Sequence, residues 1–410
     1  MLRRMSNAIR YYDIGFNLTD PMYQGVYHGK SYHEADIAQV LHRCQKSRAS
    51  HVLLTGSSIH ESKEAIALSQ QFHGQFETCL YYTLGVHPCC VNEFVLKDTR
   101  STIDNPTNDQ DFNAGVKVQD VQFTRAKLRE LYSLVSEQAS RDDKFRAIGE
   151  IGLDYDRLYY SSEEMQKLFF EEQLKLSCLF PHIPLFLHMR NCCDDFVRLM
   201  DRFVKGWYDS QDRFDWKGII SSTAAAPGGH MPAVTDQGIF YKFSPNRKFV
   251  VHSFTGSPDE LGQLLDLSPN CFIGMNGCSF KTKENIESVK AVPLDRLLLE
   301  TDAPWCDIRR THESYKYLFD EPAAIDLEKT DPWNHGLEKA YPDLDSWFKS
   351  VKRDKLVKKS QDEKQTTMVK SRNEPCTMGH VATVVANVKQ VPLEHLVETV
   401  WKTSCDVYGK

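Results

Sequence analysis

Residues 146–156 read RAIGEIGLDYD. An apolar strand-like run is interrupted at Glu150 by a carboxylate, where a buried side chain is expected. Working outward, seven similar runs rich in Val, Ile, Leu, Phe and Tyr recur along the chain: YYDIGFNL (11–18), HVLLTG (51–56), CLYYTLGVHP (79–88), PLFLHM (184–189), KFVVHSF (248–254), CFIGMNG (271–277) and LLLETDAP (297–304). Longer stretches with helical periodicity separate them, such as EADIAQVLHRCQKSRA, SEEMQKLFFEEQLKLSCLF and SPDELGQLLDL. Ser257 or Asp259, and Thr282 with Asn285, have the character of helix starts. Strands that are apolar throughout belong in a parallel sheet covered by helices. Strand plus helix, repeated eight times, closes into a (β/α)8 TIM barrel of the α/β class.

A chain of 410 residues with 41% hydrophobic side chains is long enough to build such a barrel. Residues 1–410 therefore read as one barrel domain. Three polar or Gly/Pro-rich segments, about 97–120, 203–247 and 307–370, break the rhythm and read as long loop insertions. Two helical patterns within 379–408 are expected to close the barrel's last side.

Composition narrows the function classes. A net charge of -6 carries no general basic character, so any site for a polyanion must be local. No run of about 18 apolar residues is present, so no membrane span is expected. The start, MLRRMSNAIR, lacks the apolar core of a secretory signal, and cytoplasm or nucleus is the expected location. Twelve cysteines occur without a CxxC motif and read as free thiols of a reducing compartment.

Barrel enzymes work at the C-terminal ends of their strands. The polar residues at those ends are few: Asp13 and Asn17, His87, Glu150 and Asp154, His188, His252, Asn276 and Asp302. A single His in a strand is more often a satisfied core residue than a functional one. Several strands with the same feature favour a shared partner. Burying Glu150 or Asp302 unpaired would cost several kcal/mol, and a divalent cation compensates both while also accepting His188 and His252. Carboxylate and imidazole donors without thiolate suit zinc, manganese or magnesium, and residue types alone do not choose among them. A cation with open positions points to hydrolysis.

The segments GEIGLDY (149–155), HMR (188–190), HSFTG (252–256) and LETDAPW (299–305) together resemble the TatD family of metal-dependent deoxyribonucleases. DIGFNLTDPMYQGVYHGK near the start, LGVHP (84–88) and RNEPC (372–376) are similar to its eukaryotic branch. The resemblance spans about 11–306 and 372–408. It implies a barrel of the metal-dependent hydrolase (amidohydrolase) type that cleaves phosphodiester bonds in DNA, with 3′-5′ exonuclease action and a part in DNA degradation or repair. It places Glu150, His188, His252 and Asp302 at the metal and His87 near the substrate phosphate. One departure stands out. Many relatives carry DxHxH in the first strand, whereas this chain has Asp13, Gly15 and Asn17, which puts a tightly held second ion in doubt.

Roles follow as expectations. Glu150 is placed to bridge cations, and His188 and His252 to ligate them. Asp302 would ligate or take the proton of the attacking water, so Glu150 and Asp302 are the catalytic candidates. His87 and Arg190 would contact phosphate, with a helix-start salt bridge the alternative for Arg190. Asp13 and Asn17 would hold a weak ion or its waters, or stitch the barrel by hydrogen bonds, and Asp154 would sit behind a ligand. Trp305 is read as a base-stacking platform or as packing beneath the mouth. The lysines of 349–359 are read as a lure for nucleic acid or a solvated loop. The expected cofactor is one or two divalent ions, Mg²⁺ or Mn²⁺ ahead of Zn²⁺. The expected partner is DNA, single-stranded or at frayed ends, with RNA as a second substrate and no obligate protein partner. A barrel hydrolase of small esters, lactones or amides and a catalytically silent protein-binding barrel are the competing readings.

Overall fold

The computed structural model describes residues 9–97, 110–222 and 232–410. All eight apolar runs form parallel strands of one sheet: β1 Tyr11–Phe16, β2 Ala49–Leu54, β3 Cys79–Leu84, β4 Phe145–Asp154, β5 Leu185–Arg190, β6 Phe249–His252, β7 Cys271–Met275 and β8 Leu297–Leu299. Spatial order follows chain order. Phe16 bridges Ala303 just beyond β8, so the sheet curls into a nearly closed cylinder. The longer helices interleaved with the strands, among the described residues, are α1 Ile37–Lys46, α2 Ile59–Gln71, α3 Val121–Arg141, α4 Glu163–Cys178, α5 Cys193–Lys205, α6 Pro258–Leu267 and α7 Lys283–Ala291. The expected starts of α6 and α7 are capping boxes, Ser257 with Glu260 and Thr282 with Asn285.

Alternation along the strands separates two apolar layers. Residues such as Val52, Leu187, Val251, Ile273 and Leu299 share the larger core with the helices. The inner layer takes at least one side chain from every strand: Tyr12 and Ile14, Leu53, Tyr81, Ala147, Phe186, Val250, Phe272 and Leu298. Trp401, Val407 and Tyr408 complete that cluster. They come from α9, Leu393–Tyr408, which with α8, Met378–Lys389, follows the last insertion. The final helix therefore plugs the barrel floor as well as flanking β1 and β8, a difference from the expected side closure. Its aromatic face explains this, because only the barrel interior offers Tyr12 and His51 as ring partners.

Glu150 reaches the interior through an irregularity. The pairing of β4 with β5 shifts register between Ile148 and Ile151. Two glycines allow it: at Gly149 and Gly152 a Cβ would lie 2.2 Å from the Phe186 carbonyl oxygen and 1.9 Å from that of His188. The Glu150 amide donates to the Gly56 carbonyl at 2.9 Å, anchoring the bulge.

The insertions differ from simple loops. Within 307–370, Tyr315, Phe319, Trp333 and Tyr341 are buried in the main core, because aromatic residues scattered through a polar stretch need a packing surface. The lysine-rich part forms a short strand, Lys349–Val351, and a 3-10 turn, Arg353–Lys358, with Leu356 buried. In the segment 203–247, Trp207–Asp209, Ala233–Thr235 and Gly238–Tyr241 make a small antiparallel sheet. Much of SSTAAAPGGHMP, and residues 98–109 of the first insertion, lie outside the described residues. No helix of the described residues is long and apolar enough to cross a membrane.

A buried ionic network ties the chain's end to its beginning. Glu374 accepts from Arg43 Nε at 2.7 Å and Nη2 at 3.0 Å and from Arg372 Nη2 at 3.0 Å, while Arg372 also forks onto both oxygens of Asp36 at 2.6 Å. All four residues are buried. Removing one member leaves its partners charged and dry, which typically costs about 3–5 kcal/mol. Glu374→Ala should therefore lower stability in chemical denaturation by about that amount, whereas Lys205→Ala, which breaks the exposed pair with Asp201, should cost under about 1 kcal/mol.

Candidate metal centre and active-site cleft

The inner layer continues upward into polar residues. Two positions beyond Phe186, Val250 and Leu298 stand His188, His252 and Glu300, at the mouth end of β5, β6 and β8. The rings of His188 and His252 converge on one carboxylate oxygen. Glu150 Oε1 lies 2.8 Å from His188 Nδ1, 2.7 Å from His252 Nε2 and 3.4 Å from His87 Nε2. His188 is held from its other side by Asp154, with Oδ2 3.2 Å from Nε2. His87 meets His188 edge-on, and Phe186 stacks on His252.

Burial opposes charge on every one of these groups, and the outcome differs between them. For Glu150 the penalty is outweighed by His252 and His87 and by hydrogen bonds from His188 and His252, so its carboxyl is held well below the usual range. For His188 and His252 burial is likewise overcome by neighbouring carboxylates, and both are raised. His87 is pushed down to about 3 by burial and stays neutral. Within the protein, compensation of Glu150 thus falls mainly on the neighbouring imidazoles, His252 foremost. Burial pushes Asp302 up to about 6, against the pull of His252.

Asp302 faces the same cleft from the opposite wall. The cleft holds about 800 Å³ and is lined by Glu150, His87, His188, His252, Asp302 and Arg190 among others. Asp302 has φ +52°, a left-handed conformation that non-glycine residues seldom adopt outside functional sites. Asn17 Nδ2 donates to its Oδ1 at 2.9 Å, and Cys306 Sγ to its Oδ2 at 3.3 Å. A larger hollow of about 1010 Å³ opens at the barrel floor. Among its charges Arg48 pairs with Asp343 and Lys402 with Glu398, and among the described residues no histidine lines it, so the imidazole and carboxylate chemistry belongs to the mouth.

The structure sorts the sequence candidates. Glu150, His188 and His252 form one tight cluster, with His87 beside it, and Asp302 stands across from them. Asp154 hydrogen-bonds to His188. Arg190 lines the cleft, its Nη1 3.7 Å from Asp154. Asn17 is a stay for Asp302. The carboxylate of Asp13 accepts from Thr301 N, Thr301 Oγ1 and Gly15 N, which fits the stitching reading of this residue. Trp305 is half exposed at the rim, which favours the platform reading over packing. Among the described residues, no lysine of 349–359 lines the cleft, so the lure reading finds no support there.

Several contributors escaped sequence reasoning. Glu300 is fully buried and accepts from Ser253 N and from Asn276 Nδ2, with Oε2 facing His252 Nδ1 at 3.5 Å. A second carboxylate in LLLETD, parallel to Glu150 in its run, was the available signal. Asn373 of RNEPC donates to the carbonyls of Thr301 and Trp305 at 3.1 and 2.8 Å and so props the loop that carries Asp302.

The donor set fits a divalent cation. Ligand atoms of His87, Glu150 and His188 lie within 4.8 Å of one another, as do those of His87, Cys89 and Asp154, and the first group is the imidazole and carboxylate mixture such ions accept.

The family model described as TatD related DNase matches residues 12–409. The chain is 48% identical to Deoxyribonuclease Tat-D of Saccharomyces cerevisiae, over 98% of this chain and 92% of the relative. It is 27% identical to the 3′-5′ ssDNA/RNA exonuclease TatD of Klebsiella pneumoniae, over 72% of this chain and 78% of the relative. A crystal structure of an uncharacterized amidohydrolase from Saccharomyces cerevisiae superposes with TM-score 0.79 at 47% identity, covering 98% of this chain and all of that one.

Orienting partners of metal-bound histidines typically matter about 10–100-fold in affinity. Calorimetric titration with Mn²⁺ should therefore show Asp154→Asn binding about 10–100-fold more weakly than the parent, with an unchanged circular dichroism spectrum. Equal affinity would remove Asp154 from the centre.

Proposed function

The chain belongs to the TatD family of DNases, and from that premise we propose that it is a divalent-metal-dependent nuclease trimming single-stranded or frayed 3′ ends of DNA. The observation that carries this reading is the convergence of His188 and His252 on Glu150 opposite Asp302 in one cleft. The name of the bacterial relative supports the direction and adds RNA as a second substrate.

In this reading Glu150, His188, His252 and Asp302 hold the cation, with Mg²⁺ or Mn²⁺ ahead of Zn²⁺. A bound divalent ion supplies Lewis acidity toward the phosphoryl group and eases deprotonation of water. Asp302, its oxygens steadied by Asn17 and Cys306, accepts the proton of the attacking water. Neutral His87 donates a hydrogen bond without adding charge. Arg157, Arg190, Lys281 and Arg309 line the cleft and match an anionic backbone, which favours a phosphodiester over a neutral ester, lactone or amide. Trp305 offers a face to an unpaired base, which favours a single strand.

End-labelled oligonucleotides test the proposal. With Mg²⁺ or Mn²⁺ the product ladder should shorten from the 3′ end and stop on chelation. Glu150→Gln should slow turnover by about 10³-fold, the equivalent of several kcal/mol of lost electrostatic stabilisation, while remaining folded. Cleavage that persists in chelator, or in Glu150→Gln, would refute the assignment.

A further inference from the structure

Two cysteines line the cleft beside Asp302: Cys306, already met as a donor to Asp302, and Cys278, which has no part in the chemistry above. Cys306 donates its S–H to Asp302 Oδ2 at 3.3 Å, and its sulfur also meets the thiol of Cys278. The two loops are pressed together here, since a Cβ at Gly277 would lie 2.0 Å from the Cys306 carbonyl oxygen. Cys278 is fixed from behind by its amide, which donates to Asn276 Oδ1 at 2.8 Å. Both residues are half-buried and line the cleft, which is the route by which a small oxidant would approach them. Contact with the Cys306 thiol first, and the Lys281 ammonium after it, draw the Cys278 thiol down against burial, toward its reactive, ionised form.

We propose that Cys278 and Cys306 are a redox switch on the nuclease site, closing into a reversible disulfide when hydrogen peroxide enters the cleft. The Cys278 thiolate attacks one peroxide oxygen, the O–O bond breaks, and the departing hydroxide is protonated to water. Cys306 then attacks the sulfenic sulfur, the S–S bond forms, and the sulfenic oxygen leaves as a second water. Two thiols are oxidised and one peroxide is reduced to two waters. Oxidised Cys306 has no S–H to give, so Asp302 keeps Asn17 as its side-chain donor and loses the other. The consequence for activity rests on the role given to Asp302 in the proposed function.

Full-length protein treated with hydrogen peroxide, alkylated and digested without reductant should yield a Cys278–Cys306 linked peptide that dithiothreitol removes. Nuclease activity should fall about tenfold, the worth of one hydrogen bond to an ionised group, and recover on reduction. Cys278→Ser should keep its basal activity and lose the peroxide response. Linkage confined to other sulfurs, such as the adjacent Cys89 and Cys90 in the same cleft, would overturn the switch, as would a Cys278→Ser protein that remains equally sensitive. Reduced protein without any nuclease activity would count against the proposed function instead. The switch is then read from Mn²⁺ affinity, which should weaken about tenfold on oxidation.

Discussion

An ionised carboxylate taken out of water is tolerated only where other charges or donors replace its solvent. Glu150, 5% exposed inside a largely apolar sheet, finds its replacements in imidazoles delivered by β5 and β6. Each is two positions past an apolar residue of the inner layer, so the barrel's own alternation aims both rings at one oxygen. The arrangement carries charge that a bound cation would rearrange and not merely add to. That is why the cluster reads as a metal centre more than as a static salt bridge.

The rest of the molecule is arranged to keep this group in place. Gly149 and Gly152 let the bulge press against β5. Glu300 fixes the turn after β6 through the Ser253 amide and Asn276, and Asp13 locks Thr301, the residue immediately before Asp302 and its left-handed turn. Further out, Asn373 holds the Asp302 loop, and its neighbours Arg372 and Glu374 are clamped to Asp36 and Arg43 on the opposite side of a long insertion. The buried ionic network is thus a positioning device for the site, transmitted through a stretch of backbone.

Much of this was legible in the sequence because it rests on contrast between neighbours. All eight strands were visible as apolar runs, and Glu150, His188 and His252 were visible as ionisable residues inside them. What could not be read depends on contacts between distant segments. Arg43 and Glu374 look like ordinary surface charges until the fold pairs them. Glu300 and Asp302 differ only by a turn at φ +52°, which sends one carboxylate to Ser253 and the other to Asn17. The insertion at 307–370 is polar on average, and its average hides Trp333, Tyr341 and Trp347, which stack with one another and with His380. Cys278 and Cys306 each passed for a small hydrophobe, since their significance lies in meeting each other.

The account stands on a cation replacing water around Glu150, and anomalous diffraction from crystals soaked in Mn²⁺ addresses that most directly. A peak bonded to the Glu150 carboxylate, with His188 or His252 among its other ligands, is the predicted result. A fully occupied anomalous site elsewhere, with the His188–Glu150–His252 hydrogen bonds intact and no density between them, would contradict it.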